Sequence, residues 1–258
     1  MALPLLMSPK LEAVEGLVHG FSTRAGGASQ DPYNSLNLGW GTGDSDESVE
    51  ENYRRLAEAL GTSPERIFGV HQVHGALVVE VEAGKDRRGY SSASGDALIT
   101  AVPDTFLAVR VADCLPILIV DPIRHALGIV HAGWRSTLAK ALPATVSVMS
   151  RRFQTSPSDL VVALGPGIGA CCFEVSGAIA ALFEQEIGLE KSEWKENDTS
   201  AYMDLTAINA RLAQSMGVFP DRIWRSGLCT KCNADRFFSY RRDGRRSGRM
   251  VGVIGWSA

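Results

Sequence analysis

The feature that most constrains the fold is a pair of apolar runs separated by a short polar turn. Residues 115–120 read LPILIV and residues 126–130 read ALGIV. Continuous apolar runs of this length, bounded by turn residues, are typical of buried strands. We therefore predict a β-hairpin that begins at Cys114, turns at 122–125 and ends at His131. Antiparallel pairing brings Cys114 close to His131, although 17 positions separate them in the chain.

The rest of the chain has the pattern of a mixed fold. Apolar residues at helical spacing predict helices at 47–60, 134–153, 176–187 and 205–216, and Pro143 should kink or split the second of these. Short apolar runs predict further strands at 76–82, 97–100, 106–111, 160–164 and 250–256. Several strands follow one another before a helix intervenes, which favours an α+β fold with an antiparallel or mixed sheet. No linker divides the chain, so we predict one domain over residues 1–258.

Composition excludes several classes of partner. The formal net charge of -3 provides no global basic field, so neither nucleic acid nor an anionic membrane is expected as the main partner. No apolar run approaches the ~20 residues of a membrane-spanning helix, and the first residues do not resemble a secretory leader. Five cysteines, an odd number, do not form a disulfide framework in a chain of 258 residues. We expect a cytoplasmic protein with free thiols.

The hairpin also suggests a metal site. The segment HQVHG at 71–75 supplies histidines in addition to Cys114 and His131. One thiolate and two imidazoles, with a fourth position left for water, are what a catalytic zinc ion requires. Zinc keeps such a thiol deprotonated and lowers the pKa of its water ligand. On the residues alone, the alternative stays open that Cys114 packs in the core and the histidines serve structural hydrogen bonds.

Long motifs run in order through almost the whole chain: FSTRAGGAS at 21–29, YNSLNLG at 33–39, QVHG at 72–75, GDALIT at 95–100, ADCLPI at 112–117, HAGWR at 131–135, LGPGIGACCFEV at 164–175 and FFSYRRDG at 237–244. Through these motifs the chain resembles the YfiH-like family, also called laccase-domain or multicopper polyphenol oxidase-like proteins, whose members include purine nucleoside phosphorylases. The resemblance implies a central antiparallel or mixed β-sandwich flanked by helices, in four αββα layers. It also implies a zinc ion held by His74, Cys114 and His131.

The resemblance further implies purine nucleosides and phosphate as small-molecule partners. The activities it implies are phosphorolysis of adenosine, inosine, guanosine and methylthioadenosine, and deamination of adenosine. Phosphorolysis requires an anion site beside the sugar C1′. Arg24 and Arg135 are the candidates for holding phosphate, because guanidinium donors match phosphate oxygens in pairs. A surface salt bridge is the alternative for each of them.

Two aspartates lie in the motifs beside the predicted site. Asp96 and Asp113 could each orient a ligand histidine or take part in proton transfer, and each could equally be an ordinary aspartate at a turn or strand end. We include Asp96 with Cys114, His131 and His74 among the candidate catalytic residues.

Two other groups of residues have less specific patterns. Cys229 and Cys232 form a CxxC without a second pair, and Cys171–Cys172 follow a glycine-rich turn, so we predict ordinary loop or packing thiols in both places. The arginine-rich run 241–249 follows aromatic residues, as in single-strand nucleic-acid binders. The family match and the acidic chain favour a folded turn, with some of these arginines anchoring the site.

Three alternative functions remain. Cys114 could be the nucleophile of a cysteine hydrolase or amidase with His131 as its base. The family's fold resembles that of thiol deamidase toxins, and some relatives are linked to editing of peptidoglycan precursors. A copper-dependent polyphenol oxidase is disfavoured: two histidines and a cysteine suit copper, but the chain has only five histidines and no His-x-His pair. A zinc-binding scaffold without activity is the third alternative.

Overall fold

The computed structural model describes residues 3–85, 87–197 and 199–257. In these residues the strands are β1 (Leu5–Leu6), β2 (Leu17–Ser22), β3 (Ile67–Phe68), β4 (Val78–Glu80), β5 (Ala97–Thr100), β6 (Phe106–Val111), β7 (Leu115–Asp121), β8 (Ala126–Ala132), β9 (Val161–Leu164), β10 (Glu174–Ser176), β11 (Trp194–Asn197), β12 (Ser200–Met203), β13 (Ile223–Arg225) and β14 (Met250–Trp256). The helices are α1 (Pro9–Glu12), α2 (Asp46–Ala59), α3 (Arg87–Ser91), α4 (Trp134–Leu138), α5 (Ala141–Phe153), α6 (Gly177–Ile187), α7 (Leu205–Ser215) and α8 (Tyr240–Asp243).

Two large mixed sheets form the centre of the fold. One has the strand order β1-β2-β14-β6-β3 and the other the order β13-β9-β7-β8-β5-β4. The predicted hairpin is the antiparallel pair β7–β8 in the middle of the second sheet, where Leu115 pairs with Ala132 and Pro116 with His131. The register confirms that the chain immediately before β7 lies beside the end of β8.

Alternate residues of the hairpin pack in opposite directions. Leu118 and Ile129 belong to the core between the two sheets, whereas Ile117 and Val130 belong to the core shared with helices α5 and α7. A strand that is buried on both faces needs apolar residues at every position, which explains the unbroken apolar runs.

Helices cover the outer faces of both sheets. Helix α5 packs on the six-stranded sheet with Leu142, Val146 and Met149, while α2 packs on the five-stranded sheet with Val49 and Leu56. The order helix, sheet, sheet, helix confirms the predicted α+β class and its αββα layers. Of the helices in the described ranges, none has both the length and the apolar character needed to cross a membrane.

The predicted elements differ from the observed ones in two places. The region predicted as one helix over 134–153 is split between α4 and α5, and the break lies at Lys140, whose φ is 58°. Pro143 is the third residue of α5, where a proline is tolerated because the amides of the first turn have no partner within the helix. The predicted strand at 76–82 is reduced to the three residues of β4.

A small third sheet lies beside these layers and was not predicted. It has the order β10-β12-β11 and shares an apolar cluster with α6 and α7, to which Phe173 and Phe183 contribute. The loop that leads into this sheet, residues 165–173, runs past the end of β7, because the amide of Gly165 donates to the carbonyl of Pro116 (2.9 Å).

Candidate metal centre

Three metal-competent side chains meet at one end of the central hairpin. His131 lies in β8, Cys114 immediately precedes β7, and His74 comes from the loop between β3 and β4. Their ligand atoms all lie within 4.8 Å of one another. The two imidazole rings meet edge to face, with centroids 4.8 Å apart. The contact between Cys114 and His131 that the hairpin predicted is confirmed, and His74 joins them.

Asp96 holds two of these three residues in place. Its fully buried carboxylate lies 2.8 Å from His131 Nδ1. It also accepts hydrogen bonds from the backbone amides of His74 (2.9 Å) and Gly75 (2.6 Å). Burial by itself raises the pKa of Asp96, but the hydrogen bonds from His131 and Gly75 outweigh it and lower that pKa. Because Nδ1 of His131 faces Asp96, Nε2 remains for a metal ion.

The geometry supports a positioning role for Asp96, one of the two roles considered from the sequence. The side chain lies behind His131 and does not belong to the wall of the adjacent cavity. It therefore orients a ligand instead of touching a substrate.

The charges at the cluster suit metal binding. Burial opposes ionisation of Cys114, but the charge of His131 and hydrogen bonds from both histidines lower the pKa of the thiol to about 6. Burial likewise opposes the charged form of His131, yet the charge of Cys114 and the Asp96 hydrogen bond raise its pKa to about 9. These opposite shifts favour a thiolate at Cys114 beside a protonated His131, and a metal ion bound here would displace the imidazole proton.

Gly133 of the HAGWR motif leaves room for the donors to converge. A β-carbon at this position would lie 2.7 Å from Cys114 Sγ and 3.4 Å from His74 Cδ2. Any side chain here would therefore push the sulfur away. One sulfur and two imidazole nitrogens, with room for close approach and an orienting carboxylate behind, fit a catalytic zinc site.

A cavity of about 740 Å³ opens beside the cluster. His74, Cys114 and His131 form part of its wall. Aromatic side chains form another part, namely Trp40, Trp134, Phe173 and Tyr240. The volume lies within the usual range for a small-molecule site.

Four arginines line the same cavity: Arg110, Arg241, Arg245 and Arg249. Arg249 is largely buried, which lowers the pKa of its guanidinium, although the charges of Tyr240, Cys114 and Asp113 act in the opposite direction. Backbone carbonyls fix two of these arginines, since Arg110 donates to Val70 (2.8 Å) and Arg249 to Gly248 (3.0 Å). The prediction that some arginines of the 241–249 run anchor the site is supported, whereas Arg110 was missed because it lies alone within a strand.

The two arginines chosen from sequence do not lie on the cavity wall. Arg24 donates to the carbonyls of Asn34 (2.9 Å) and Ala234 (3.0 Å), and its guanidinium lies 4.7 Å from the Phe238 ring. Arg135 is exposed in α4 and stacks on Trp134 at 4.2 Å. This geometry does not support the prediction that they hold phosphate. Both arginines belong to family motifs, FSTRAGGAS and HAGWR, but neither side chain lines the cavity.

Asp113 connects the metal-competent cluster to two distant loops. Its carboxylate accepts from Thr230 Oγ1 (2.6 Å) and from the amide of Arg241 (2.7 Å), and its carbonyl accepts from the amide of Ile168 (2.9 Å). Both carboxylate oxygens are therefore engaged in holding the loops. Of the roles open for Asp113, this arrangement favours a structural anchor next to Cys114.

The structure brings together the four cysteines for which we predicted ordinary loop or packing roles. The sulfur atoms of Cys171, Cys172, Cys229 and Cys232 all lie within 4.8 Å of one another. The CxxC at 229–232 therefore has a partner pair, the adjacent cysteines at 171–172. Both pairs are visible in the sequence, but no local pattern indicates that their two loops meet.

Comparisons with known proteins agree with this architecture. A family model described as multi-copper polyphenol oxidoreductase laccase matches residues 18–257. A Deinococcus radiodurans protein named purine nucleoside phosphorylase is 40% identical, covering 98% of this chain and 93% of that protein. The Escherichia coli purine nucleoside phosphorylase YfiH is 34% identical over 96% of this chain and 98% of its own length. The crystal structure of YlmD from Geobacillus stearothermophilus superposes with a TM-score of 0.91 at 34% identity, covering 100% of this chain and 98% of that one.

Proposed function

The chain belongs to the multi-copper polyphenol oxidoreductase laccase family, and on that premise we propose that it is a zinc-dependent purine nucleoside phosphorylase. The relatives at 40% and 34% identity carry the name purine nucleoside phosphorylase. The observation that carries the proposal is local: four arginines and the His74/Cys114/His131 cluster line one cavity.

The arginines supply the anion site that phosphorolysis requires. Arg110 and Arg249 are close enough for their charges to oppose each other, and Cys114 lies within the same electrostatic neighbourhood. A phosphate bound between guanidinium groups neutralises this repulsion and receives paired hydrogen bonds. The phosphate nucleophile would then be held beside the metal-competent cluster.

The aromatic part of the wall suits a purine nucleoside. Tyr240 and Trp40 are partly exposed, at 48% and 38%, and can cover a planar base. Phe173 is buried, so it can serve as a fixed apolar support. Stacking depends on the flat face of the base, which supports adenosine, inosine, guanosine and methylthioadenosine as substrates of one site.

The metal in this proposal is zinc, held by His74, Cys114 and His131. When bound, zinc supplies Lewis-acid polarisation and lowers the pKa of a water ligand. The protein keeps His131 in the ligating tautomer through Asp96, and the arginines keep phosphate in place. We assign adenosine deamination to the same site as a second activity: water would attack C6 of the purine and ammonia would leave, which requires the base, and not the sugar C1′, to face the His74/Cys114/His131 cluster.

A nucleoside panel tests the proposal. Zinc-loaded protein is incubated with each of the four nucleosides, with and without phosphate, and the products are separated by chromatography. Adenosine with phosphate should yield adenine and ribose 1-phosphate, and adenosine without phosphate should yield inosine and ammonia. Metal analysis of the same sample distinguishes zinc from copper. Inertness of the zinc-loaded protein toward all four nucleosides would remove the proposal.

A second candidate function rests on two successive contacts: Cys114 meets His131, and His131 meets Asp96. This order places a thiol, an imidazole and a carboxylate as in a cysteine hydrolase. Amide hydrolysis that survives complete metal removal, and that disappears in Cys114→Ser, would favour the hydrolase over the phosphorylase.

A further inference from the structure

We propose that Cys171, Cys172, Cys229 and Cys232 bind a second zinc ion, which has a structural role. This site is separate from the cluster at the hairpin and shares no ligand with it. The proposal concerns a different part of the molecule from the proposed function and does not depend on it.

The distances between the sulfurs fit one tetrahedral ion. A zinc–sulfur bond of about 2.3 Å in tetrahedral geometry places the sulfurs about 3.8 Å apart. Cys232 Sγ lies 3.5 Å from Cys171 Sγ and 3.4 Å from Cys172 Sγ, and all four sulfurs lie within 4.8 Å. These separations are much longer than the ~2.05 Å of a disulfide bond. The arrangement is that of four ligands around a common centre.

Two tight turns present the cysteines. In the first, the amides of Cys172 and Phe173 both donate to the carbonyl of Gly169 (2.9 Å each). In the second, the backbone amide and side-chain amide of Asn233 both donate to the carbonyl of Cys229 (3.2 and 2.8 Å). The turns are joined by a bridge between Gly167 and Cys229. Backbone hydrogen bonds therefore fix the position of each cysteine pair within its own turn.

Four sulfur donors specify the kind of site. Soft thiolates in a tetrahedral set select zinc or a single iron among the common metals. Four protein ligands fill every coordination position, so no place is left for water or substrate. We therefore assign a structural ion here, in contrast to the three-donor cluster at the hairpin.

The first turn forms part of the wall of the cavity, and the second turn is hydrogen-bonded to a residue of that wall. Phe173 follows the first cysteine pair and lines the cavity directly. Thr230, between the second pair, donates to Asp113, which lines the cavity next to Cys114. An ion held by both turns would fix the distance between them, and so would fix this wall.

Metal counting on purified protein tests the proposal. Wild-type protein prepared in zinc-containing medium with reductant should hold two zinc ions per chain. Cys232→Ser should hold one, Cys114→Ala should also hold one, and Lys231→Ala should hold two. Lys231 lies between the two cysteines of the CxxC, so its replacement controls for disturbance of the turn. One ion in the wild type, lost in Cys114→Ala and retained in Cys232→Ser, would overturn the proposal.

A spectroscopic measurement avoids relying on a variant at the proposed site. In cobalt-substituted Cys114→Ala, the remaining ion should show the intense charge-transfer absorption of a tetrahedral all-thiolate site. Mass spectrometry of wild-type protein isolated without reductant should show no mass decrease from disulfide formation. Absence of the cobalt spectrum, or a disulfide among these four cysteines in freshly isolated protein, would contradict the proposal. Neither measurement depends on nucleoside turnover, so it can fail while the phosphorylase proposal stands, and the reverse.

Discussion

The two groups of metal-competent residues differ in donors, in support and in access. The hairpin group has two imidazoles and one thiol, opens on a cavity, and has an orienting carboxylate behind it. The loop group has four thiols and is supported by backbone turns. On the two proposals above, donor number separates a site for chemistry from a site for support. Three donors leave a place for a reactant, whereas four donors close the shell.

The groups also differ in what positions them. Cys114 and His131 take their places from the register of paired strands, in which a one-residue slip would reverse the side chains. The loop cysteines come from two turns separated by 61 positions between Cys171 and Cys232. The sheet therefore fixes one group, while the second group must itself help to hold its loops together.

The largest expected effect is a loss of catalytic activity, and only a variant of the hairpin group should show it. Cys114→Ala should lower kcat/KM for adenosine phosphorolysis by at least about 10³-fold, because it removes a metal ligand from the cavity. Cys232→Ser should lower it by less than about tenfold, because the reactants do not touch that residue. Steady-state kinetics with both variants measures the contrast.

Thermal unfolding gives the opposite contrast for the same pair. Cys232→Ser should have a clearly lower Tm than Cys114→Ala, since only the former releases a loop clamp. Equal losses of activity and of Tm in Cys232→Ser and Cys114→Ala would show that the two groups do not have separate roles.

The next effect tests the charge around the hairpin group. Arg249→Ala should raise the KM for phosphate by about 10–100-fold, because a half-buried guanidinium on the cavity wall is removed. Arg135→Ala is the matched control, since Arg135 is exposed and lies off the wall, and it should leave the KM unchanged. A larger rise in the KM for phosphate from Arg135→Ala than from Arg249→Ala would instead support Arg135 as the phosphate ligand, as predicted from the sequence.

The orienting carboxylate gives a third test of the contrast. Asp96→Asn should weaken metal binding at the hairpin group by about 10–100-fold, because a neutral amide orients His131 less strongly. The four-cysteine group has no contact with Asp96 among the described hydrogen bonds, so its affinity should not change. In a competitive chelator titration, the phase from the hairpin group should shift and the phase from the four-cysteine group should stay unchanged. An equal shift of both phases would show that the groups are not independent.

The last prediction concerns acid conditions, in which protonation of the donor side chains would weaken metal binding at both groups. His19 in β2 accepts a hydrogen bond from the Ser8 amide at Nε2 (2.9 Å), and burial lowers its pKa to about 4. A lowered folded-state pKa gives stability that is present above the unfolded value near 6.5 and is lost as the pH falls toward 4. The loss amounts to up to about 3 kcal/mol.

His19→Gln keeps an acceptor for Ser8 but does not titrate. Urea unfolding of metal-stripped protein at pH 7 and pH 4.5 should show a smaller loss for His19→Gln than for the wild type. Identical losses of stability in both proteins would show that a group other than His19 causes the acid sensitivity.

Much of the first group could be predicted from local patterns. The two apolar runs gave the hairpin, and hairpin geometry gave the contact between Cys114 and His131. His74 came only from the family resemblance, because the loop at 71–75 reaches the hairpin through Asp96, and that contact has no local sequence pattern. The α+β class followed from the apolar runs and helical stripes, since burial on a sheet requires those periods, whereas the αββα layering came from the family resemblance.

The second group and the arginines could not be predicted in the same way. Cys171 and Cys232 meet because Asp113 and the bridge at Gly167 bring two loops together, and loop packing has no periodic signal. Arg24 and Arg135 were predicted to hold phosphate because they belong to family motifs and guanidinium groups suit phosphate, but the direction of a long side chain depends on which carbonyls or rings it meets. Arg24 meets Asn34 and Ala234, and these contacts turn it away from the cavity.

The hairpin also affects the order in which the proposed metal ligands come together during folding. Closing the loop between Cys114 and His131 costs less chain entropy than closing the 61-position loop between Cys171 and Cys232. A hairpin forms in about 1–10 μs, long before distant loops dock. We therefore expect a refolding chain to bring together two of the three donors of the hairpin group first, and to bind an ion there before the loops that carry the four cysteines are docked. Stopped-flow refolding with a zinc-sensitive dye would show this order as a fast uptake followed by a slow one.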